Sequence, residues 1–233
     1  RVAYAVTSPQ TFYPDPHIEV TSGDARVGEV QAGGVSWATL IAAAGNTVNN
    51  NSTTMWGSYI AAHADADKWT TNYRAIIAFD TSPLGPSATV TEATLSVYGK
   101  SPWSDGLSIS QDMNVFEATP ADPTNIVAGD YAQTGGVSFS TAITVAGGDA
   151  ADYNDFLLDA NGRANVDTGG VSGFSVKNEN YDADAVQPAH TASQVSRQTL
   201  IQSKQAGTSQ DSKLEVAFTM GPAGYAALSG IGR

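Results

Sequence analysis

The chain has no cysteine, and only 15% of its 233 residues are charged, 11 Lys+Arg against 23 Asp+Glu. The missing thiols exclude thiolate zinc sites, cysteine nucleophiles and a disulfide framework. Basic side chains are few and unclustered, and the formal net charge is −12, so nucleic acid is not an expected partner. No apolar run approaches the roughly 18–20 residues of a helical membrane span. The histidines, His17, His63 and His190, are scattered and lack the i,i+4 spacing of a helical zinc site. No Gly-x-Ser-x-Gly elbow occurs, and the glycine pairs at 33–34, 135–136, 147–148 and 169–170 do not form phosphate loops. The acids are spread without a frame that would select a facing pair for glycoside hydrolysis. Together these absences predict a protein that is not an enzyme and requires no cofactor.

What is present suits strands and turns. The chain is 41% apolar, enough for a core, and carries 23 Gly and 10 Pro beside abundant Ala, Ser and Thr. Helical bundles lean instead on Glu, Lys, Leu and Arg. The length fits one all-β domain. Residues 1–18 hold Pro9, Pro14 and Pro16 with Tyr4, Phe12 and Tyr13 between them, which predicts an extended N-terminal arm. Residues 220–233 form a Gly-rich tail around Tyr225, Leu228 and Ile231. These six apolar side chains are candidate assembly contacts: the two ends either pack on their own domain or dock on a neighbouring subunit. A single domain is expected over 19–219.

One helix is signalled over 37–44, with Ser36 as its cap, Gly45 at its end, and Trp37, Leu40, Ile41 and Ala44 on one face. The following NTVNNNSTTMW reads as a polar loop. From Tyr73 onward the period is two. Strands are predicted at 74–80, 90–98, 113–117, 137–143, 156–158, 173–176 and 214–219, and one helical turn at 160–166. Gly, Asp, Asn and Pro punctuate them, which argues for an antiparallel β-sandwich or jelly roll.

Several of these segments carry a resemblance. Residues 73–82 (YRAIIAFDTS) and 88–98 (ATVTEATLSVY) resemble the signature of DNRLRE-type β-sandwich domains: an Arg-led strand ending in Phe-Asp, a Pro-containing turn, then an Ala-x-Leu-x-x-Tyr strand. YNDF at 153–156, GFSV at 173–176 and DSKLEV at 211–216 look like the family's later strands, with Ser212 where Pro is usual. SWATLIAAAG, RAIIAFDTS and YNDFLLDANG are similar to segments of bacteriophage and metagenomic proteins. The resemblance implies a virion-associated or extracellular accessory domain, and some family members bind polysaccharide. It also implies that Phe79, Leu95, Val97, Phe156, Phe174 and Leu214 face a shared core. Arg74 is then expected to pair with a carboxylate, and Asp80 to start a turn through its side chain.

The expected function is therefore a structural or accessory protein of a virion or other extracellular assembly, a homo-oligomer or a partner of other structural proteins there. The alternative is an extracellular carbohydrate-binding module. For the latter the candidate platforms are Trp69, Trp103 and Tyr181, aromatic residues placed in polar loops. Acidic loops suggest a structural Ca²⁺, foremost at Asp182 and Asp184 in NYDADA, with Asp65/Asp67 and Asp149/Asp152/Asp155 as further oxygen sources.

Overall fold

A computed structural model describes residues 8–203 and 209–221. In chain order its elements are β1 (Gln10–Phe12), β2 (Asp24–Val35), α1 (Trp37–Ile41), β3 (Thr47–Asn49), β4 (Thr54–Ala62), β5 (Trp69–Asp80), β6 (Ala88–Tyr98), β7 (Ser104–Asp105), β8 (Asp112–Glu117), β9 (Ile143–Thr144), β10 (Tyr153–Leu157), α2 (Ala160–Ala164), β11 (Val171–Lys177), β12 (Val195–Ile201) and β13 (Lys213–Met220). They form a four-stranded sheet, β1-β13-β6-β10, and a nine-stranded sheet, β7-β12-β4-β5-β11-β8-β9, with β2 added along β5 and β3 along β2. Pairing is antiparallel in both. The fold is the all-β sandwich that the strand-and-turn pattern predicts.

Period-two alternation builds the interior. Ala75, Ile77 and Phe79 of β5 project toward the four-stranded sheet and meet Leu95 and Val97 of β6, Phe156 of β10, Phe174 of β11, and Leu214 and Val216 of β13 in one buried cluster. All six residues expected to share a core lie in that cluster. Asp80 accepts the Ser82 amide at 3.1 Å and so opens its turn through its side chain, as expected.

β5 organises the large sheet. β2 pairs along one edge of it, from Ile77 to Trp69. The other edge is shared, β4 pairing with Trp69–Tyr73 and β11 with Ala75–Asp80. The opposite face of this sheet carries Ile76, Arg74 and Asn72 and is covered by α1, a 3₁₀ segment at Ala128–Ala132 and a π-turn at Glu179–Ala183.

Four local readings are corrected. α1 is capped by Ser36, whose Oγ accepts the Thr39 amide at 3.3 Å, but it ends at Ile41 instead of Ala44. Gly45 takes φ +91° there, and a Cβ on it would stand 2.2 Å from the Ala128 carbonyl, so the chain must turn away beneath the 3₁₀ segment. The supposed loop after α1 contains β3 and the start of β4. The strand expected at 137–143 is absent: Phe139 gives its amide to Val115, but only Ile143–Thr144 pairs with β8. Residues 10–12 of the arm are the edge strand β1 on β13, and Phe12 is buried in the molecule's own core. Tyr13 is half-buried; Tyr4, Tyr225, Leu228 and Ile231 lie outside the described residues.

Candidate functional site

The residues proposed as platforms are packed. Trp69 opens β5, fully buried and edge-on to Trp37 at 5.8 Å. The Trp103 indole donates to the Thr199 carbonyl at 2.6 Å and leans on the main core. Tyr181 donates its hydroxyl to the Ile109 carbonyl at 2.7 Å, and its own carbonyl accepts the Trp37 indole N–H. The three do not meet on a common exposed surface.

Different aromatics do meet. Directly opposed residues of antiparallel strands share a face, and the register sets Gly28 of β2 against Tyr73 of β5, Tyr73 against Tyr59 of β4, and Tyr59 against Arg197 of β12. Tyr73 continues the side of β5 that carries Ala75 and Ile77 farther on, where the small sheet covers it. At Tyr73 the cover is incomplete, and Tyr73, Tyr59 and Trp56 are half-buried. Trp56 reaches the row because a bulge in the β4–β12 pairing, at Gln198/Thr199, changes the alternation. Its ring centroid lies 4.5 Å from those of Tyr59 and Tyr73, which are 5.4 Å from each other.

Two arginines frame the rings. The Arg26 guanidinium lies 3.9 Å from the centre of the Trp56 ring and 5.4 Å from that of Tyr73, a cation–π position. Gly28 makes this possible, since a Cβ there would stand 2.3 Å from Tyr73 Cδ1, so the phenol lies across bare backbone. Neither Arg26 nor Arg197 has an ion pair among the described residues, and Arg197 Nε is buried without a hydrogen-bond partner. Burial and Tyr73 hold the Tyr59 hydroxyl above its ordinary pKa, against the pull of both arginines, so that phenol stays neutral. A face of three touching rings with two unpaired guanidinium groups can stack on an apolar ring surface and hold an anion at its rim.

Arg74 finds a carboxylate, but Asp182 is its partner and not a loop ligand. Nε and Nη2 of Arg74 donate to the two Asp182 oxygens at 2.7 and 2.6 Å, a bidentate pair in full burial. Nη2 also donates to the Ile41 carbonyl, and Nη1 to the Tyr131 carbonyl and Thr134 Oγ1, so one guanidinium ties α1, the 3₁₀ segment and the π-turn to β5. Burial alone would raise the Asp182 pKa; the Arg74 charge overrides it and holds the carboxyl below its usual range. Asp184 is exposed. Asp65 is exposed and pairs with Lys68 at 2.9 Å. Asp149 and Asp152 cap turns around Tyr153. No three His, Asp or Glu side chains gather at a metal-binding distance among the described residues.

Beside Phe139 a shallow depression of about 440 Å³ is lined by Glu117, Val137, Asn161 and Asn165, with a single carboxylate on its wall. It lacks the facing acid pair of glycosidases.

The aromatic face was not read from the sequence. Trp56 and Tyr59 stand three apart, a spacing that puts both on one face only across a bulge, and a bulge has no signature in MWGSY beyond Gly57. Comparison with family models gives no match for this chain, and neither does comparison with curated proteins.

Proposed function

We propose that this protein is a non-enzymatic accessory module that binds polysaccharide on the Trp56–Tyr59–Tyr73 face, in the virion-associated or extracellular setting that the DNRLRE-like segments suggest. The observation that carries the reading is the touching ring triad with two arginines left unpaired in a chain of net charge −12. Surplus acids could have neutralised Arg26 and Arg197, yet none does so among the described residues. The sheet itself is rigid, so a ring surface built on it loses little freedom on binding. The unpaired guanidinium groups favour sugars bearing a carboxylate or sulfate.

The test is a glycan array and affinity electrophoresis with neutral and acidic polysaccharides. Wild type is expected to be retarded by an acidic polysaccharide. Trp56→Ala is expected to weaken binding at least about tenfold, a loss of ~1.4 kcal/mol, while leaving the melting temperature close to wild type. An array on which intact wild type binds nothing sinks the reading.

Assembly into a homo-oligomer or with other structural proteins is the second reading, favoured by Ile18 and Val20. These lie at 81% and 78% exposure on the loop leaving β1, an apolar pair left open among the described residues. Ile18→Asp with Val20→Asp is expected to shift a concentration-dependent oligomer toward monomer in analytical ultracentrifugation. A wild type that stays monomeric at every concentration overturns it.

A further inference from the structure

At the end of the sandwich where β2 begins, β12 finishes and β13 starts, polar oxygens are buried with too few partners. Asp24 is 1% exposed. Its Oδ2 accepts the Ser203 amide at 2.9 Å, but Oδ1 has no hydrogen-bond partner. The Asp24 carbonyl accepts Gln202 Nε2 at 3.0 Å, which binds the 202–203 segment to this spot. Unpartnered buried atoms cluster in the same sequence neighbours: Ser22 Oγ, Gln202 Oε1, Ser203 Oγ and Ser212 Oγ. With Asp24 Oδ1 they make five of the eleven such side-chain atoms among the described residues, and all five are oxygens.

The charged groups that bear most on Asp24 are Glu19 and Asp211, both negative, and Glu19 in turn holds His17 Nδ1 at 3.0 Å. The loop that carries Glu19 and Ser22 is itself well made. Asp15 Oδ2 accepts the amides of Val20, Thr21 and Ser22, and the Glu19 side chain folds over Gly23, where a Cβ would stand 2.5 Å from Glu19 Cγ. A preformed loop therefore sets a buried carboxylate and idle oxygens against the end of the sheet. Buried polar oxygens that lack donors are costly, at about 1–3 kcal/mol each. A positive ion would satisfy several at once.

We propose that the Asp24 pocket is a binding site for a hard cation, Ca²⁺ being the ion its carboxylate, amide and hydroxyl oxygens suit. Asp24 is its one fully buried carboxylate, Ser203 and Gln202 supply neutral oxygens, and Glu19 and Asp211 add longer-range attraction. The site is independent of the polysaccharide face.

The full chain, stripped with a chelator and returned to CaCl₂, tests this by isothermal titration and thermal melting. One Ca²⁺ per chain is expected to bind and to raise the melting temperature. Asp24→Asn is expected to abolish the calcium-dependent shift. Should that variant fail to fold, Ser203→Ala keeps the carboxylate and is expected to lower the affinity by about tenfold. A wild type with no binding heat and a melting temperature indifferent to Ca²⁺ and chelator overturns the proposal. A calcium shift that persists unchanged in Asp24→Asn or Ser203→Ala overturns it as well, by placing the ion elsewhere.

Discussion

Between its two sheets the protein buries hydrocarbon almost exclusively, whereas the far face of the large sheet buries ions and amides beside its apolar clusters. The first region is Phe79, Leu95, Phe156, Phe174 and Leu214 in mutual contact. The second is Arg74 on Asp182, stacked 3.7 Å over the Tyr131 ring, with Asn72, Asp112, Asn114 and Lys177 buried around it. The difference follows from what each layer must hold. Strands satisfy their own backbone and need only apolar side chains between sheets. Short helical turns leave carbonyls and amides unpaired at their ends, and a guanidinium with five donors can collect several of them from separate segments.

The contrast can be broken experimentally. Phe174→Ala should cost the most, about 4 kcal/mol, because the cavity it leaves lies between two sheets that cannot close on it. Chemical denaturation reads this as a lower midpoint with an unchanged slope. Arg74→Leu should cost about 3 kcal/mol by leaving Asp182 charged in full burial. The double variant Arg74→Leu/Asp182→Leu should recover part of that loss, whereas no second substitution of similar size restores Phe174. The carbonyls of Ile41 and Tyr131, still deprived of donors, set what is not recovered. A double variant as unstable as the single one would mean that Arg74 acts through those carbonyls alone.

Proton linkage should also separate the layers. Burial pushes the Asp112 carboxyl up to about 6, although it accepts the Glu179 amide and Asn180 Nδ2. A carboxyl whose pKa is raised by folding keeps its proton more tightly in the folded chain. Its contribution is therefore fully present below the unfolded pKa of about 3.9 and is lost as pH rises toward 6. Asp112→Asn should flatten that part of the stability profile between pH 4 and 6, which Phe174→Ala leaves untouched. Asp182 behaves in the opposite sense: its pKa is lowered, so its contribution holds at neutral pH and fades only in strong acid. The smallest expected effect is Ser36→Ala, about 1 kcal/mol for the lost α1 cap, seen as faster amide exchange at Thr39.

The apolar layer was legible and the polar one was not. Alternation located the strands that carry Phe79, Leu95, Phe156, Phe174 and Leu214, and the family resemblance pointed to these side chains as a shared core. β12 hides the same period: its buried positions include Ser196, Gln198 and Thr199, so the pattern reads as solvent-facing. β2 is broken by Gly28, Gly33 and Gly34, and Gly28 serves a ring on the next strand. Arg74 announced that it needed a carboxylate, but nothing local pointed 108 residues ahead to Asp182. The same acid in NYDADA looks like a cation ligand until the fold assigns its charge. Trp69 follows HADADK, a tight connection in which His63 donates its amide to the Lys68 carbonyl, and so it begins a strand where a loop was expected.

The pairing of β1 with β13 bears on how the module responds to load. Gln10 lies beside Val216 and Phe12 beside Leu214, so the strands run in opposite directions and the described ends, Ser8 and Gly221, leave from the same side. Tension drawn through those two ends peels the three-residue β1 away one rung at a time, as a zipper opens, instead of shearing all its rungs together. A ligand on the Trp56 face would pull on β4 and β5 inside the wide sheet, where many rungs share the strain. Under traction through Ser8 and Gly221, the short β1 yields before the strands of the wide sheet.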